Sequence, residues 1–290
     1  MKVKMQRCST IVILGEPNAG KSTLLNALIK EKIAPVHSKP QMTRKNLLGI
    51  LTEGDHQLIF VDTPGLHVSK QKFNQYLLKD LELMLSGADV VLLLLDVEHE
   101  FPEILTQKLE QIKDKRIFMV MNKIDLPAHD HKLDGKYLAD NFSFPIFPIS
   151  AMKKHGLGEL VKELKACAPE QKFLYDADDL TTATYREIAS ELLREKVMEF
   201  THKEIPYQAT TFIESYQESE KRITISANII VNRESHKGIM IGKGGANLKR
   251  IEQTTHRELK ELTGQHVRLK LHVKVDENWI MSDAKISEYL

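Results

Sequence analysis

Cys8 and Cys167 are the only cysteines in a chain of 290 residues. Two thiols build neither a disulfide framework nor a four-thiolate metal site, so a reduced, intracellular and cytoplasmic protein is expected. Charge of one sign is also lacking: 41 Lys and Arg stand against 40 Asp and Glu, a net charge of +1. The molecule as a whole is therefore not a basic nucleic-acid binder, and any such surface must be a local concentration of charge. The longest apolar run, Val90 to Leu95, falls far short of the roughly 20 residues a spanning helix needs. That excludes a helix across a membrane and leaves peripheral attachment open. Met1 to Arg7 is charged and no long apolar run follows, so no signal peptide is expected. Internal repeats and low-complexity tracts are missing too.

What is present is material for cores. Hydrophobic residues make up 42% and charged residues 28% of the chain, and its length suggests two domains. Short β-rich runs alternate with helical periodicity up to Pro169. Thr10–Leu14 reads as a strand, Lys21–Ile29 as a helix, and Asn46–Leu51 with Leu58–Val61 as a hairpin turning at Glu53-Gly54-Asp55. A helix over about Gln71–Leu85 follows. Then come strand Val90–Leu95, helix Glu103–Ile112, strand Ile117–Val120, a short helix near Leu133, strand Ile146–Ile149 and helix Leu157–Cys167. Val90–Leu95 and Ile117–Val120 are apolar on both faces, as a parallel sheet covered by helices on both sides requires.

Pro169 stops the last helix, and the polar stretch after it carries Asp176, Asp178 and Asp179. The expected division is a first domain over 1–169, a linker over 170–180 and a second domain over 181–290. The second reads as helix Thr182–His202, strands Thr210–Tyr216 and Ile223–Val231, a short helix, a glycine turn, a helix with a break near Thr254, and strand Val267–Val275.

Gly15-Glu16-Pro17-Asn18-Ala19-Gly20-Lys21-Ser22 matches the phosphate-loop pattern in full, with a strand before it and a helix after it. Gly15 and Gly20 let the backbone curl so that successive N–H groups point at phosphate oxygens. Pro17, Asn18 and Ala19 form the body of the loop, and Thr23 follows Ser22 at the helix N-terminus. Lys21 reaches the β- and γ-phosphates, and Ser22 is placed to ligate Mg²⁺. Asp62-Thr63-Pro64-Gly65 closes a strand: Asp62 can hold Mg²⁺ through a water, and Gly65 can offer its N–H to a γ-phosphate. Thr43 is the candidate for completing the Mg²⁺ set, since Thr10 and Thr52 are poorly placed. The expected catalytic residues are thus Lys21, Thr43 and Gly65, and the expected metal ligands are Ser22, Thr43 and Asp62.

Asn122-Lys123-Ile124-Asp125 follows a strand. The Asp125 carboxylate can accept from N1–H and the 2-amino group of guanine, a donor pair that adenine lacks. Asn122 and the Lys123 stem would hold the loop and cover the base, while Ser150-Ala151 supplies a backbone N–H for the guanine oxygen. Four motifs at the ends of successive strands converge on one edge of the sheet, where such folds bind ligands. Leu66, next to Gly65, can neither donate nor accept a proton. Slow hydrolysis carried by positioning, Mg²⁺ and backbone donors is expected, with a conformational change as the useful output. His67 beside it reads as structural or exposed.

In the second domain Gly238-Ile239-Met240-Ile241-Gly242-Lys243-Gly244-Gly245 sets a Gly-x-x-Gly turn between two helices. Gly242 and Gly245 allow close backbone approach to a sugar–phosphate chain. This is the clamp of a KH fold, which grips about four single-stranded nucleotides. Two strands before it and one after give the type II arrangement. From Lys237 to Lys274 nine Lys or Arg stand against three Glu, and Lys243, Lys249 and Arg250 are the first candidates for phosphate contacts, beside Gly238, Ile241, Gly244 and Gly245.

Over essentially its full length the chain resembles the bacterial Era GTPases, whose phosphate-loop NTPase G domain (an α/β mixed sheet with helices on both faces) precedes an α+β type II KH domain. The resemblance rests on Gly15–Ser22, Gln41–Arg44, Asp62–His67, Asn122–Asp125 and Ser150-Ala151. It continues through Arg194-Glu195-Lys196, Glu204–Tyr207, Gly238–Gly245 and Glu277-Asn278-Trp279. It implies a slow, Mg²⁺-dependent hydrolysis of GTP to GDP and binding of the 3′ end of 16S ribosomal RNA late in 30S subunit assembly. It also implies a nucleotide state linked to RNA binding, peripheral association with the inner membrane, and potassium-stimulated turnover through Asn18. Met42 departs from the family's usual paired threonines, which leaves Thr43 as the one expected on Mg²⁺. Thr182 stands where an aspartate is common. A monomer suffices for all of this. Two other readings fit the residues: a translation or RNA-remodelling GTPase with another RNA target, and a non-catalytic RNA-binding scaffold that merely holds nucleotide.

Overall fold

The computed structural model describes residues 5–36, 43, 46–66, 81–277 and 279–289. These fall into two compact units, the first holding 5–34, 43, 46–66 and 81–182, the second 35–36, 183–277 and 279–289.

The first unit is a six-stranded sheet of order β2-β3-β1-β4-β5-β6. Its strands are β1 (Arg7–Gly15), β2 (Leu47–Glu53), β3 (His56–Asp62), β4 (Val90–Asp96), β5 (Arg116–Asn122) and β6 (Ile146–Pro148). β2 runs antiparallel to β3, and every other pairing is parallel. All seven residues of β4 are buried, because one face meets the cluster around Leu24, Leu25 and Leu160 and the other the cluster around Leu105, Leu109 and Leu138. The helices are α1 (Lys21–Ile29), α2 (Glu103–Gln111), α3 (Gly135–Asn141) and α4 (Leu157–Cys167). The short helix expected near Leu133 is α3, started by Asp134, whose Oδ1 accepts from the Tyr137 amide at 2.7 Å. Residues 81–86 are helical; the rest of the helix read over 71–85 lies outside the described residues.

The polar stretch read as a linker is pinned to the first unit. The Cys8 amide donates to Pro169 O at 3.2 Å and the Ile50 amide to Leu180 O at 2.8 Å, and Thr181 Oγ1 donates to Leu48 O at 2.6 Å. Gln57, fully buried in β3, supplies the fixed point. Its Oε1 accepts from the Leu174 and Tyr175 amides (2.9 and 3.1 Å) and its Nε2 donates to Tyr175 O at 2.9 Å. A buried amide needs such partners, since leaving one unsatisfied is costly.

The second unit orders its sheet β7-β8-β9 from β7 (Ala209–Ser219), β8 (Arg222–Val231) and β9 (His266–Val275). β7 and β8 are antiparallel, while β8 and β9 are parallel. Between the last two lie α6 (Glu234–Ile241) and α7 (Ala246–Thr263), and α5 (Tyr185–Phe200) precedes the sheet. One face of the sheet buries Ile223, Ile225, Val267, Leu269 and Leu271 against Leu192, Leu193, Ile251 and Leu259 of the helices. α5 starts at Tyr185 rather than Thr182 because Thr184 and Glu187 form a capping box, which satisfies two orphan N-terminal donors. α7 runs unbroken through Thr254, correcting the expected break. Thr254 Oγ1 turns back to Arg250 O at 2.8 Å, so the hydroxyl bonds the preceding turn without interrupting the helix. A short C-terminal helix, α8 (Asp283–Tyr289), closes the unit. Its Ile286 is buried, as is Trp279 just before it, and Trp279 Nε1 donates to Gln208 O at 3.1 Å.

Candidate functional site

The phosphate loop links β1 to α1. A Cβ on Gly15 would stand 2.5 Å from Leu94 O, and one on Gly20, at φ +98°, 2.3 Å from Asn122 Nδ2. Neither place admits a side chain. Asn18, exposed at the loop tip, also takes a left-handed φ of 66°, which Asn tolerates better than most residues. Pro17 is half-buried, Ala19 buried and Thr23 half-buried in the first turn of α1. Lys21 is only 6% exposed. Its Nζ donates to Gly15 O at 3.1 Å and Glu16 O at 2.7 Å, so the ammonium lies folded under the loop. Burial pulls its pKa down to about 8, with Asp62 and Glu16 opposing the fall.

Three of the expected residues meet at the start of α1. Ser22 Oγ donates to Asp62 Oδ2 at 2.6 Å, Thr43 Oγ1 donates to the same oxygen at 3.3 Å, and the two hydroxyls lie 3.0 Å apart. Asp62 is 1% exposed, and its Oδ1 has no hydrogen-bond partner among the described residues. Burial raises its pKa, while Lys21, Ser22 and Thr43 pull it back down. A buried carboxylate with one orphan oxygen and two hydroxyls beside it suits a hard cation such as Mg²⁺, which takes oxygen ligands and retains several waters.

Gly65 sits against the loop, where a Cβ would come within 2.7 Å of Pro17 Cα and N. The Leu66 amide donates to Gly15 O at 3.0 Å, and its side chain is buried among Leu81, Leu85 and Val61. The residue that offers no proton chemistry is thus also a core residue. His67 lies outside the described residues.

Asn122, 3% exposed, ties two loops together. Its Nδ2 donates to Ala19 O at 2.8 Å, and its Oδ1 accepts from the Ala151 amide at 2.9 Å. The Ala151 N–H, expected to face the guanine oxygen, is therefore engaged by Asn122. Ser150 is buried, and its Oγ accepts from the Lys153 amide at 2.9 Å. Asp125 is exposed at the loop surface, where it can face a base. Two residues went unread in the sequence. Asp96 Oδ2 lies 2.5 Å and Glu98 Oε2 3.0 Å from Lys123 Nζ. Burial alone would lower the Lys123 pKa, but these two carboxylates outweigh it and the net shift is upward. Lys123 takes a φ of 68°, and its ammonium head is anchored by the two carboxylates. Asp96 ends β4, where β4 pairs with β5 at Asp96↔Asn122, a register that the sequence does not display.

In the second unit the glycine turn joins α6 to α7. Gly242, Gly244 and Gly245 take φ of +75°, +61° and +79°, and Lys243 projects exposed from the middle. Gly238 and Gly245 have open space where a Cβ would stand, whereas one on Gly242 would come within 2.9 Å of Asn247 Cβ. Asn247 Nδ2 donates to Met240 O at 3.1 Å, capping α6 and fixing the turn, a role the sequence reading missed. Ile241 is half-buried and Lys249 exposed. Arg250 is stacked over the Phe200 ring at 4.2 Å, which orients its guanidinium toward α5. Arg194, Glu195 and Lys196 are buried. Lys196 Nζ bridges Glu195 Oε1 (2.8 Å) and Glu258 Oε1 (2.5 Å), tying α5 to α7.

These two sites define the class: a guanine-nucleotide domain joined to a type II KH domain. A family described as "50S ribosome-binding GTPase" matches residues 10–123, and the KH domain family matches 204–280. The chain is 38% identical to the GTPase Era of Nitratidesulfovibrio vulgaris (strain Miyazaki F), covering 94% of this chain and 93% of that protein. It is also 38% identical to the GTPase Era of Clostridium kluyveri, covering 98% and 99%. A crystal structure of Era with MgGDPNP and nucleotides 1506–1542 of 16S ribosomal RNA superposes with a TM-score of 0.92 at 32% identity over 98% of both chains. A single-residue variant of Aquifex aeolicus Era bound to GDP·AlF4⁻ gives 0.91 at 32% identity, covering 98% of this chain and 99% of that one. The chain belongs to the Era GTPase family.

Proposed function

We propose that this chain hydrolyses GTP to GDP and phosphate, binds the 3′ end of 16S ribosomal RNA, and assists maturation of the 30S subunit. One observation carries the reading: the guanine-nucleotide pocket and the Gly242–Gly245 clamp lie on one chain, which matches an Era–MgGDPNP–16S RNA complex over 98% of its length. The description of the G-domain family names the large subunit, but it covers one domain only, and the match across both domains supports 16S RNA as the target.

The loop Gly15–Ser22 surrounds the phosphates with backbone N–H donors. Lys21 swings from the Gly15 and Glu16 carbonyls to the β- and γ-phosphates, and Gly65 offers its N–H to the γ-phosphate. Ser22, Thr43 and Asp62 would hold Mg²⁺, which would supply positive charge beside the phosphates. Thr43 and Gly65 orient the site around the attacking water, since Leu66 supplies no base. Turnover is slow for that reason. Asn18 is the proposed potassium contact at the loop tip. Asp125 selects guanine, with the Lys123 stem over the base.

Linkage between nucleotide state and RNA binding is part of this reading, since both sites are carried by one chain. The protein acts as a monomer in the cytoplasm and attaches peripherally to the inner membrane; no helix among the described residues is long and apolar enough to cross one. Crosslinking to cellular RNA followed by sequencing tests the target. Enrichment of 16S 3′-end fragments is expected, and enrichment of unrelated transcripts would favour an RNA-remodelling GTPase with another target.

A further inference from the structure

The clamp occupies the helical side of the second unit, and the other face of its sheet carries a separate charge pattern. β9 reads His266-Val-Arg268-Leu-Lys270-Leu-His272-Val-Lys274-Val, with Val267, Leu269 and Leu271 buried toward the helices. His266, Arg268, Lys270, His272 and Lys274 all point the other way and are exposed. β9 is an edge strand, so this column borders open solvent. Beside it on β8, register pairs Arg222, Thr224, Ser226 and Asn228 with His266, Arg268, Lys270 and His272. Apart from Arg222 that neighbouring column is polar and uncharged.

The β9 column itself is exposed. On the same face Asn228 and Ile230 of β8 are buried, and Tyr289 of α8 meets Phe212 of β7 edge-on at 5.8 Å, so the open part of the face is β9 with the Arg222–Ser226 end of β8. Glu214 of β7 accepts from Ser226 at 3.4 Å and takes Lys274 at 3.1 Å, so one carboxylate lies beside the middle of the neighbouring column and neutralises Lys274; Glu218 accepts from Gln265 at 3.2 Å, and Asp276 is held by Lys285 and Tyr289. Among the described residues, the neighbouring Arg268 and Lys270 have no ion-pair partner, although β7 of the same sheet carries both glutamates. Adjacent cations left unpaired, on a domain that binds RNA, are available to an external polyanion.

We infer that the outer face of β9 is a second RNA-backbone surface, gripping the phosphates of a strand that continues past the Gly242–Gly245 clamp. The geometry sets the class of partner. Alternate side chains recur every ~6.6 Å along a strand, and the column spans about 26 Å from His266 to Lys274. A single file at that spacing follows successive phosphates of one nucleic-acid strand. A lipid surface would call for a broad cationic patch with apolar side chains to insert, and every outward residue of β9 is charged or titratable. Two surfaces on opposite faces of an edge strand suit a flexible single strand that passes around the edge. The inference rests on the proposed RNA-binding function, extending it from the clamp to a longer stretch of RNA.

The test uses the full chain with two fragments of the 16S 3′ end, about six nucleotides for the clamp alone and about 20 for clamp and stripe, compared with the ~4 nucleotides a KH clamp holds. Each phosphate contact on a single strand contributes a salt slope of about 0.7, worth up to about fivefold in affinity at 0.1 M salt. Arg268→Gln with Lys270→Gln should therefore weaken the longer fragment about 10- to 25-fold and flatten its slope by about 1.4. The short fragment and GTP should bind as before, and the swap Arg268→Lys with Lys270→Arg should keep the wild-type slope. Equal losses on both fragments, or no loss on either, would overturn the inference while leaving the clamp intact. Loss of binding to vesicles containing phosphatidylglycerol, with the longer RNA unaffected, would assign the stripe to lipid instead. Failure of the wild-type protein to bind either RNA would remove the RNA-binding reading itself.

Discussion

Replacing Lys21 with Met should make the nucleotide-free protein more stable while destroying its response to nucleotide. Among the described residues, Lys21 is buried with two carbonyls as hydrogen-bond partners, and its pKa falls from 10.5 to about 8. At 1.36 kcal/mol per pH unit, holding the ammonium there costs about 3 kcal/mol. Met retains most of the stem and removes the charge; the Gly15 and Glu16 carbonyls lose the Lys21 donor and keep the Leu66 and Ala19 amides, which gives back about 1–2 kcal/mol. The net gain at pH 7 is about 1–2 kcal/mol. The sign of the pH dependence follows from the lowered pKa. Below pH 8 the folded protein carries the full penalty, and the penalty fades as pH rises from 8 to 10.5 because the folded state releases its proton first. The assay is thermal unfolding of nucleotide-free wild type and Lys21→Met at about pH 7 and pH 9.5, each with and without Mg·GDP. The variant should melt higher at neutral pH, its advantage should shrink under alkaline conditions, and GDP should raise the melting point of wild type only. A variant less stable than wild type at neutral pH, or an advantage that grows with pH, would refute the reasoning.

Gln57→Leu should destabilise the first unit by about 2–4 kcal/mol, because the Leu174 and Tyr175 amides lose a buried acceptor. Hydrogen exchange at those two amides should accelerate, and unchanged protection would mean that the segment is held elsewhere. Leu66→Ala should cost about 2–5 kcal/mol of stability through the cavity it leaves, yet lower turnover of the folded protein far less than Lys21→Met does. Equal losses of turnover would give Leu66 a catalytic role. Asp125→Asn should weaken GTP and favour a xanthosine nucleotide, measured by competition; an unchanged GTP preference would remove Asp125 from the base site. Gly242→Asp places a Cβ 2.9 Å from Asn247 at a φ of +75°, so RNA affinity should collapse while GTP binding persists, and intact RNA affinity would remove the clamp.

Much of this architecture was legible because its signals are local. β4 announces itself as an all-apolar run, β9 as strict alternation, and the loops at Gly15–Ser22 and Gly242–Gly245 by glycines with no room for, or no strain-free route to, a side chain. What escaped depends on partners distant in sequence. Gln57 looks like an ordinary polar residue in a strand until residues 170–182 fold over it. Asp96 and Glu98 become the anchor of Lys123 only through the β4–β5 register, and the Ala151 amide is claimed by Asn122 from another loop. The α5 start was written locally, in the Thr184–Glu187 pair, and was passed over. Thr254 drew the opposite error, since a β-branched pair in a helix weakens propensity without deciding the outcome once Thr255 is buried in the core.

The central claim is that nucleotide in one unit biases the RNA grip of the other. It is tested most directly by titrating one 16S 3′-end RNA into the protein in its empty, GDP-bound and GTP-analogue-bound forms, with loading verified in each sample. Affinity should rise in the GTP-analogue form relative to the other two. Identical affinities across all three would contradict the claim and reduce the chain to two independent binding domains.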